Sequence, residues 1–288
     1  MIQHLVISGG GPNFVAHIGI LQECVLRGVL DTSNIQSCYA TSAGSLLSLL
    51  LSMRIPFNDL VDYFIERPWG KWMKIDTQIF GMKCVCDSDL LRDGVEPFFR
   101  AYDVPTSITF SEFYERFGVD LHMFVCEVDT LNSIDFNRTS HPDAPVLEAA
   151  IMSSLIPPIY RPHEYKGRYY MDGGFGNNFP AFECVQHTDP STVLALQNDY
   201  AQNLPSFDSI SAPALYSHIV WQLVLRNNGN DRNIAAANRC KYYIVYRADN
   251  MMAPDLWEQF LGSQDSRRAI LESGRATARE YFTAIEHC

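Results

Sequence analysis

Positive charge is scarce in this 288-residue chain: 22 Lys and Arg stand against 33 Asp and Glu, a formal net charge of −11. A surface of that sign argues against nucleic acid as a partner and offers no broad attraction to anionic membrane. Apolar docking at a lipid surface stays open, because it needs exposed Trp, Phe, Leu or Met rather than net charge. Long apolar runs are missing too. The longest, at about 43–53, is too short to cross a bilayer, so no transmembrane span is expected. No basic, apolar, cleavable stretch precedes "MIQHLVISGGG", and no signal peptide is expected. Among the eight cysteines only Cys84 and Cys86 are close together, and they lack the second Cys or His pair of a zinc site. Scattered thiols suit buried, inert positions in a reducing compartment, so the expected location is cytoplasmic. Internal repeats, low-complexity tracts and linker-like boundaries are also lacking.

What is present is core material: 47% of residues are hydrophobic, ample for a folded domain. Residues 2–8 predict a strand entering "GGGPNF", after which Ile18, Leu21 and Val25 recur at helical spacing up to Gly28. A second strand over about 35–40 leads to a serine and a helix over 43–53. Strand-helix-strand-helix in so few residues implies parallel strands with helices packed on the sheet, an α/β fold. Helices are expected near 57–66, 88–101, 110–116 and 145–155, with an apolar strand at 121–130 and another ending in the glycine turn of "GRYYMDGGFG". Further on come the strand "TVLALQ", a helix around 212–227, the strand "CKYYIVYR" and a terminal helix from about 255; "NNGNDRN" (227–233) reads as a loop. The expected organisation is a single domain over 1–288.

Three turns carry chemistry. In "YATSAGS", Ser42 sits at a strand-to-helix corner with Ala40 two residues before it and Gly44 two after. A nucleophilic serine needs such a corner, which pushes its hydroxyl out of the backbone and aims the new helix's amides at the reacting oxygen; crowding then demands small neighbours. A serine that merely caps the helix fits these five residues equally well. In "ISGGGPNF", Gly9, Gly10 and Gly11 let the backbone turn with its amides toward a cleft, as an oxyanion site requires. A dinucleotide loop would need glycine where Phe14 stands, and a phosphate-binding P-loop would need Gly-Lys-Ser/Thr. In "YYMDGGFGNNFP", Asp172 ends a strand before Gly173 and Gly174; taken alone, an aspartate bonding only its own turn is the commoner reading.

In their order along the chain, glycine run, serine and aspartate, the three turns resemble the patatin-like phospholipase family, whose members join a glycine-rich oxyanion loop, a G-x-S-x-G serine and a D-G-G/A aspartate. "SDLLRDGVEPFF", "TFSEFYERFGVDLHMFVCEVDT" and "PDAPVLEAAIMSSLIPPIYRP" resemble the intervening family segments. The likeness is good to about residue 200 and faint beyond, where 201–288 completes the same core. The resemblance implies a three-layer sandwich with a mostly parallel central sheet. It further implies a serine–aspartate dyad in which Ser42 attacks an ester carbonyl and Asp172 takes its proton, with the Gly9–Gly11 loop holding the oxyanion. The substrate would be an acyl lipid, at a membrane or micelle surface to which the protein binds peripherally, and neither metal nor cofactor is needed.

The chain departs from the family where a basic residue and a glycine usually follow the glycine run, since Asn13 and Phe14 stand there. That motivates an alternative, a catalytically silent lipid-binding or interaction protein keeping the fold. A Ser-Asp-His triad of the α/β-hydrolase type would draw on His187, His218 or His287, but that fold places several strands before its nucleophile, whereas two precede Ser42. These histidines, and His17, are expected to be surface or packing residues. Asn13 and Phe14, together with Trp69 and Trp72 of "RPWGKWMKIDTQIFGM", are candidates for substrate contact. A plain packing role for the segment with Met73, Ile79 and Phe80 is the commoner reading. The apolar run Ile219–Leu225 reads as core.

Overall fold

The computed structural model describes residues 1–72, 88–157, 159–200, 210–228, 230–248 and 254–287. Met73, Ile79, Phe80, Cys84, Cys86, Cys288 and the Trp72 side chain lie outside that description.

Parallel strands form the centre of the molecule. β1 (His4–Ile7) pairs with β2 (Ser37–Thr41) on one edge and with a late strand, Val193–Tyr200, on the other. β3 (Asp120–Glu127) pairs with β2, while β4 (Ser133–Phe136), β5 (His163–Tyr165) and β6 (Arg168–Asp172) are antiparallel additions beside β3. The late strand, β7, pairs in parallel with β8 (Tyr242–Ala248). The parallel set therefore runs β3-β2-β1-β7-β8.

Side chains alternate across this sheet, as pleating requires. Leu5, Ile7, Cys38, Ala40, Leu121, Met123, Leu194 and Leu196 face the larger core; Val6, Tyr39, Phe124, Val193 and Ala195 face a smaller one. Because both faces are buried, these strands are nearly continuous apolar runs. The larger side is covered by α1 (Phe14–Leu26), α2 (Ala43–Ser52), α3 (Phe57–Glu66), α4 (Trp69–Trp72), α5 (Asp89–Ala101), α6 (Phe110–Phe117) and α7 (Val146–Met152). On the smaller side, Ala181, Cys184 and Val185 of α8 (Ala181–His187) pack on the sheet. α9 (Ala212–Asn228) and α10 (Asp231–Ala237) precede β8, and α10 contributes Ala236 and Ala237 to that smaller core. α11 (Pro254–Gly262) and α12 (Gln264–Glu286) return to the larger side. The result is helix layer, sheet, helix layer.

Local signals explain several boundaries. α6 opens on a capping box, with Thr109 Oγ1 accepting from Glu112 N–H and Glu112 accepting from Thr109 N–H, and it stops at Gly118, φ 68°. Other expectations need correction. The loop expected at 227–233 is mostly helix: α9 runs to Asn228, and α10 starts at Asp231, where Asn230 accepts the Arg232 N–H (2.9 Å) as its cap. The terminal helix is two helices, since Ser263 leaves helical geometry and accepts from Ser266 N–H (3.0 Å) to start α12. The run Ile219–Leu225 is only half core: Val220, Trp221 and Val224 are buried, but Ile219 and Leu223 are about half exposed. Cys24, Cys38, Cys126 and Cys184 are buried free thiols. No helix among the described residues is long and apolar enough to cross a membrane.

Candidate active site

β2 ends at Thr41 and α2 begins at Ala43, which leaves one residue to reverse the chain. Ser42 does so at φ 55°, ψ −133°, a backbone state costing a non-glycine residue ~1–3 kcal/mol. The surroundings hold it there. Its N–H donates to Ser153 Oγ (2.8 Å), and Ser153 Oγ donates in turn to the Phe124 carbonyl (2.5 Å). Small neighbours are obligatory: a Cβ at Gly44 would stand 2.5 Å from the Ile7 carbonyl oxygen, and Ala40 is fully buried between strands.

Sheet register delivers the acid to the serine. Thr41 lies opposite Phe124, and Asp172 lies opposite Val125, the next residue of β3. β4 occupies the other edge of β3 over the same residues, so β2 and β6 share one edge and meet end to end. Both strands finish at that meeting point, one with Thr41-Ser42 and the other with Asp172. Ser42 Oγ donates to Asp172 Oδ2 at 2.6 Å, and the other carboxyl oxygen accepts the Gly174 N–H at 2.8 Å. Asp172 thus bonds both its own Gly173-Gly174 turn and the distant serine. Only 2% of its surface is exposed, and burial pushes its pKa up to about 6 against the lowering by those two donors.

The glycine loop runs alongside. A Cβ at Gly9 would stand 2.9 Å from Ser42 Cβ, so only glycine brings the backbone this close. The Gly9 N–H donates to the Asn178 carbonyl (3.2 Å). Among the described residues the amides of Gly10 and Gly11 have no acceptor. Asn13 is buried, and both its N–H and its Nδ2 donate to the Gly10 carbonyl, each at 3.1 Å.

Ser42, Ala43, Gly11 and Phe14 border a cleft of about 790 Å³, open mouth included, whose remaining walls are almost wholly apolar. Phe14 packs edge-on against Phe64 (centroids 4.8 Å), Phe64 stacks on Trp69 (5.8 Å), and Trp69 lies against Phe260 (5.4 Å). All four rings line the cleft. The buried Arg267 guanidinium holds this wall together, donating to the carbonyls of Ile65, Arg67 and Phe260. Phe14 and Trp69, two of the residues expected to contact substrate, line this cleft, and Trp69 is core packing as well, only 6% exposed.

No histidine lines the cleft among the described residues. His17 is fully buried in α1, and burial lowers its pKa to about 4, so it is neutral. Sequence reasoning missed Ser153, Asn198, Tyr200, Phe64 and Phe260. The available signal for Asn198 and Tyr200 was polar residues at the carboxyl end of an apolar strand, where parallel sheets place their ligands.

A family model described as patatin-like phospholipase matches residues 5–185, from β1 into α8 and across all three turns. The probable lipid hydrolase 463L of Invertebrate iridescent virus 6 is 23% identical over 260 residues, covering 79% of this chain and 86% of its own. The crystal structure of VipD from Legionella pneumophila superposes with a TM-score of 0.58 at 14% identity, covering 98% of this chain and 67% of its own, a likeness of fold. With the family match spanning well over half the sequence and this architecture around it, the chain belongs to the patatin-like phospholipase family.

Proposed function

We propose that the protein is a lipid acyl hydrolase that cleaves carboxylic ester bonds of phospholipids or related acyl lipids through Ser42 and Asp172. The observation that carries this reading is the 2.6 Å hydrogen bond between Ser42 Oγ and Asp172 Oδ2 at the rim of an apolar cleft. Ser42 Oγ attacks the ester carbonyl as its proton passes to Asp172. The amides of Gly10 and Gly11 receive the developing oxyanion; one such donor is worth ~10²–10³ in rate. Asp172 then gives its proton to the leaving alcohol, and an acyl-enzyme remains on Ser42. Asp172 next takes a proton from the water that attacks the acyl-enzyme and returns it to Ser42 Oγ as the acyl–oxygen bond breaks, which releases the fatty acid and restores the pair. The acyl chain lies along Phe14, Leu46 and Phe64, apolar surface that excludes water from the ester.

The silent alternative rested on Asn13 and Phe14. Asn13 donates to the glycine loop and Phe14 forms part of the cleft wall, so neither departure leaves the site unfilled. A fluorophosphonate probe separates the two readings. Labelling is expected on Ser42 and abolished in Ser42→Ala, together with release of fatty acid from phospholipid micelles. Folded protein that neither labels nor hydrolyses would favour the silent reading.

A further inference from the structure

This inference rests on the acyl-hydrolase reading and concerns what aims the glycine loop. A trans peptide is planar, so its C=O and N–H point in opposite directions, and whatever binds the oxygen sets the heading of the hydrogen. The Gly9 carbonyl oxygen accepts from Asn198 Nδ2 (3.0 Å) and from the Tyr200 hydroxyl (3.0 Å). Both donors project from the end of β7, some 190 residues along the chain. They press directly on the loop, because a Cβ at Gly10 would stand 2.1 Å from Asn198 Nδ2 and 3.1 Å from the Tyr200 hydroxyl.

We infer that Asn198 and Tyr200 are positioning residues: by holding the Gly9 carbonyl on the β7 side, they turn the Gly10 N–H toward the Ser42 hydroxyl and the oxyanion that forms there. These two donors, with Asn178 Nδ2 as a longer third at 3.5 Å on the same oxygen, resist the peptide flip that an unsubstituted glycine would otherwise allow at little steric cost. Neighbouring contacts fix the donors themselves. Asn198 N–H donates to Ser8 Oγ (3.0 Å), and the Tyr200 ring packs edge-on against Trp221 of α9 at 4.6 Å. Tyr200 is buried, which raises its pKa and keeps the hydroxyl protonated as a donor. Asn13 acts in the same way one peptide further on. Its grip on the Gly10 carbonyl heads the Gly11 N–H away from α1, so the residue that replaces the family's usual cation serves the loop as an anchor.

The test uses the full chain with Tyr200→Phe, Asn198→Ala and the double variant. Turnover of a soluble p-nitrophenyl ester is measured alongside inhibition by an alkyl trifluoromethyl ketone, which forms an oxyanion on the serine, and by a fatty acid, which does not. Each single variant is expected to lose ~10-fold or more in kcat with KM within about twofold, and the double variant ~10²-fold or more. Ketone affinity should fall in parallel while fatty-acid affinity stays level. Tyr200→Phe keeps the ring, so it carries the test should Asn198→Ala fail to fold. Two results would overturn the inference: Tyr200→Phe with kcat within about threefold of wild type, or ketone and fatty-acid affinity weakened equally. A wild-type protein without Ser42-dependent turnover would instead sink the hydrolase reading on which this one stands.

Discussion

The Asp172 carboxyl is buried, and its pKa of about 6 lies above the ordinary 3.8. Two expectations follow at the scale of this residue. The base role proposed for it needs the ionised form, so kcat/KM should rise with pH through an apparent pKa near 6 and level off above it. Stability should move the other way. Between pH 3.8 and about 6 the folded state keeps a proton that the unfolded chain has released, so stability falls as pH rises through that window. The cost of the buried charge is fully present above it, on the order of 2–3 kcal/mol. Asp172→Asn should therefore be more stable than wild type at pH 8, with the difference vanishing near pH 4, and its turnover should fall by ~10³. Urea midpoints at the two pH values measure the first effect and ester turnover the second. A variant less stable at pH 8 would show that the charge is not penalised.

Packing between elements has its own signature, at the crossing of α1 and α12. A Cβ at Gly274 would stand 2.0 Å from the Ala16 carbonyl oxygen, and one at Gly19 would stand 2.0 Å from that of Leu271. The two helices touch backbone to backbone through these glycines. Gly274→Ala must force them apart and is expected to cost ~1–3 kcal/mol in a denaturant melt. Gly262→Ala, at the end of α11 with no atom within 4 Å of the new Cβ, should stay within ~0.5 kcal/mol of wild type. Elements with their own punctuation were the legible ones: α6, between Thr109 and Gly118, is an example. β4 and β5 span four and three residues and pair antiparallel beside β3, so long-range pairing rather than periodicity makes them strands.

For the molecule as a whole, the C-terminal third adds to the same structure. β8 extends the sheet beside β7, α12 packs on α1, and Arg267 reaches back to the carbonyls of Ile65 and Arg67. We propose that residues 1–288 unfold as one unit. Calorimetry should show a single transition with equal van't Hoff and calorimetric enthalpies. A chain ended at residue 210 would expose the outer edge of β7 and the apolar face of α1, and should be insoluble. A truncated chain that folded and hydrolysed ester would contradict this.

The sequence by itself determined the local geometry: strands by their short apolar runs, helices by their spacing, and three sharp turns by glycine and other small residues that fit where a larger side chain would clash. It also carried the family likeness through those turns. It did not determine that they meet. Ser42 and Asp172 lie 130 residues apart, and their contact depends on Thr41 and Asp172 taking consecutive places along β3. Tertiary structure likewise decided that the Gly9 carbonyl would be held from β7, and that Phe14, Phe64, Trp69 and Phe260 would form one wall. The physical reason is the same in each case. Propensity and periodicity act within a few residues, whereas strand register and ring packing are settled by partners that only the folded chain brings within reach.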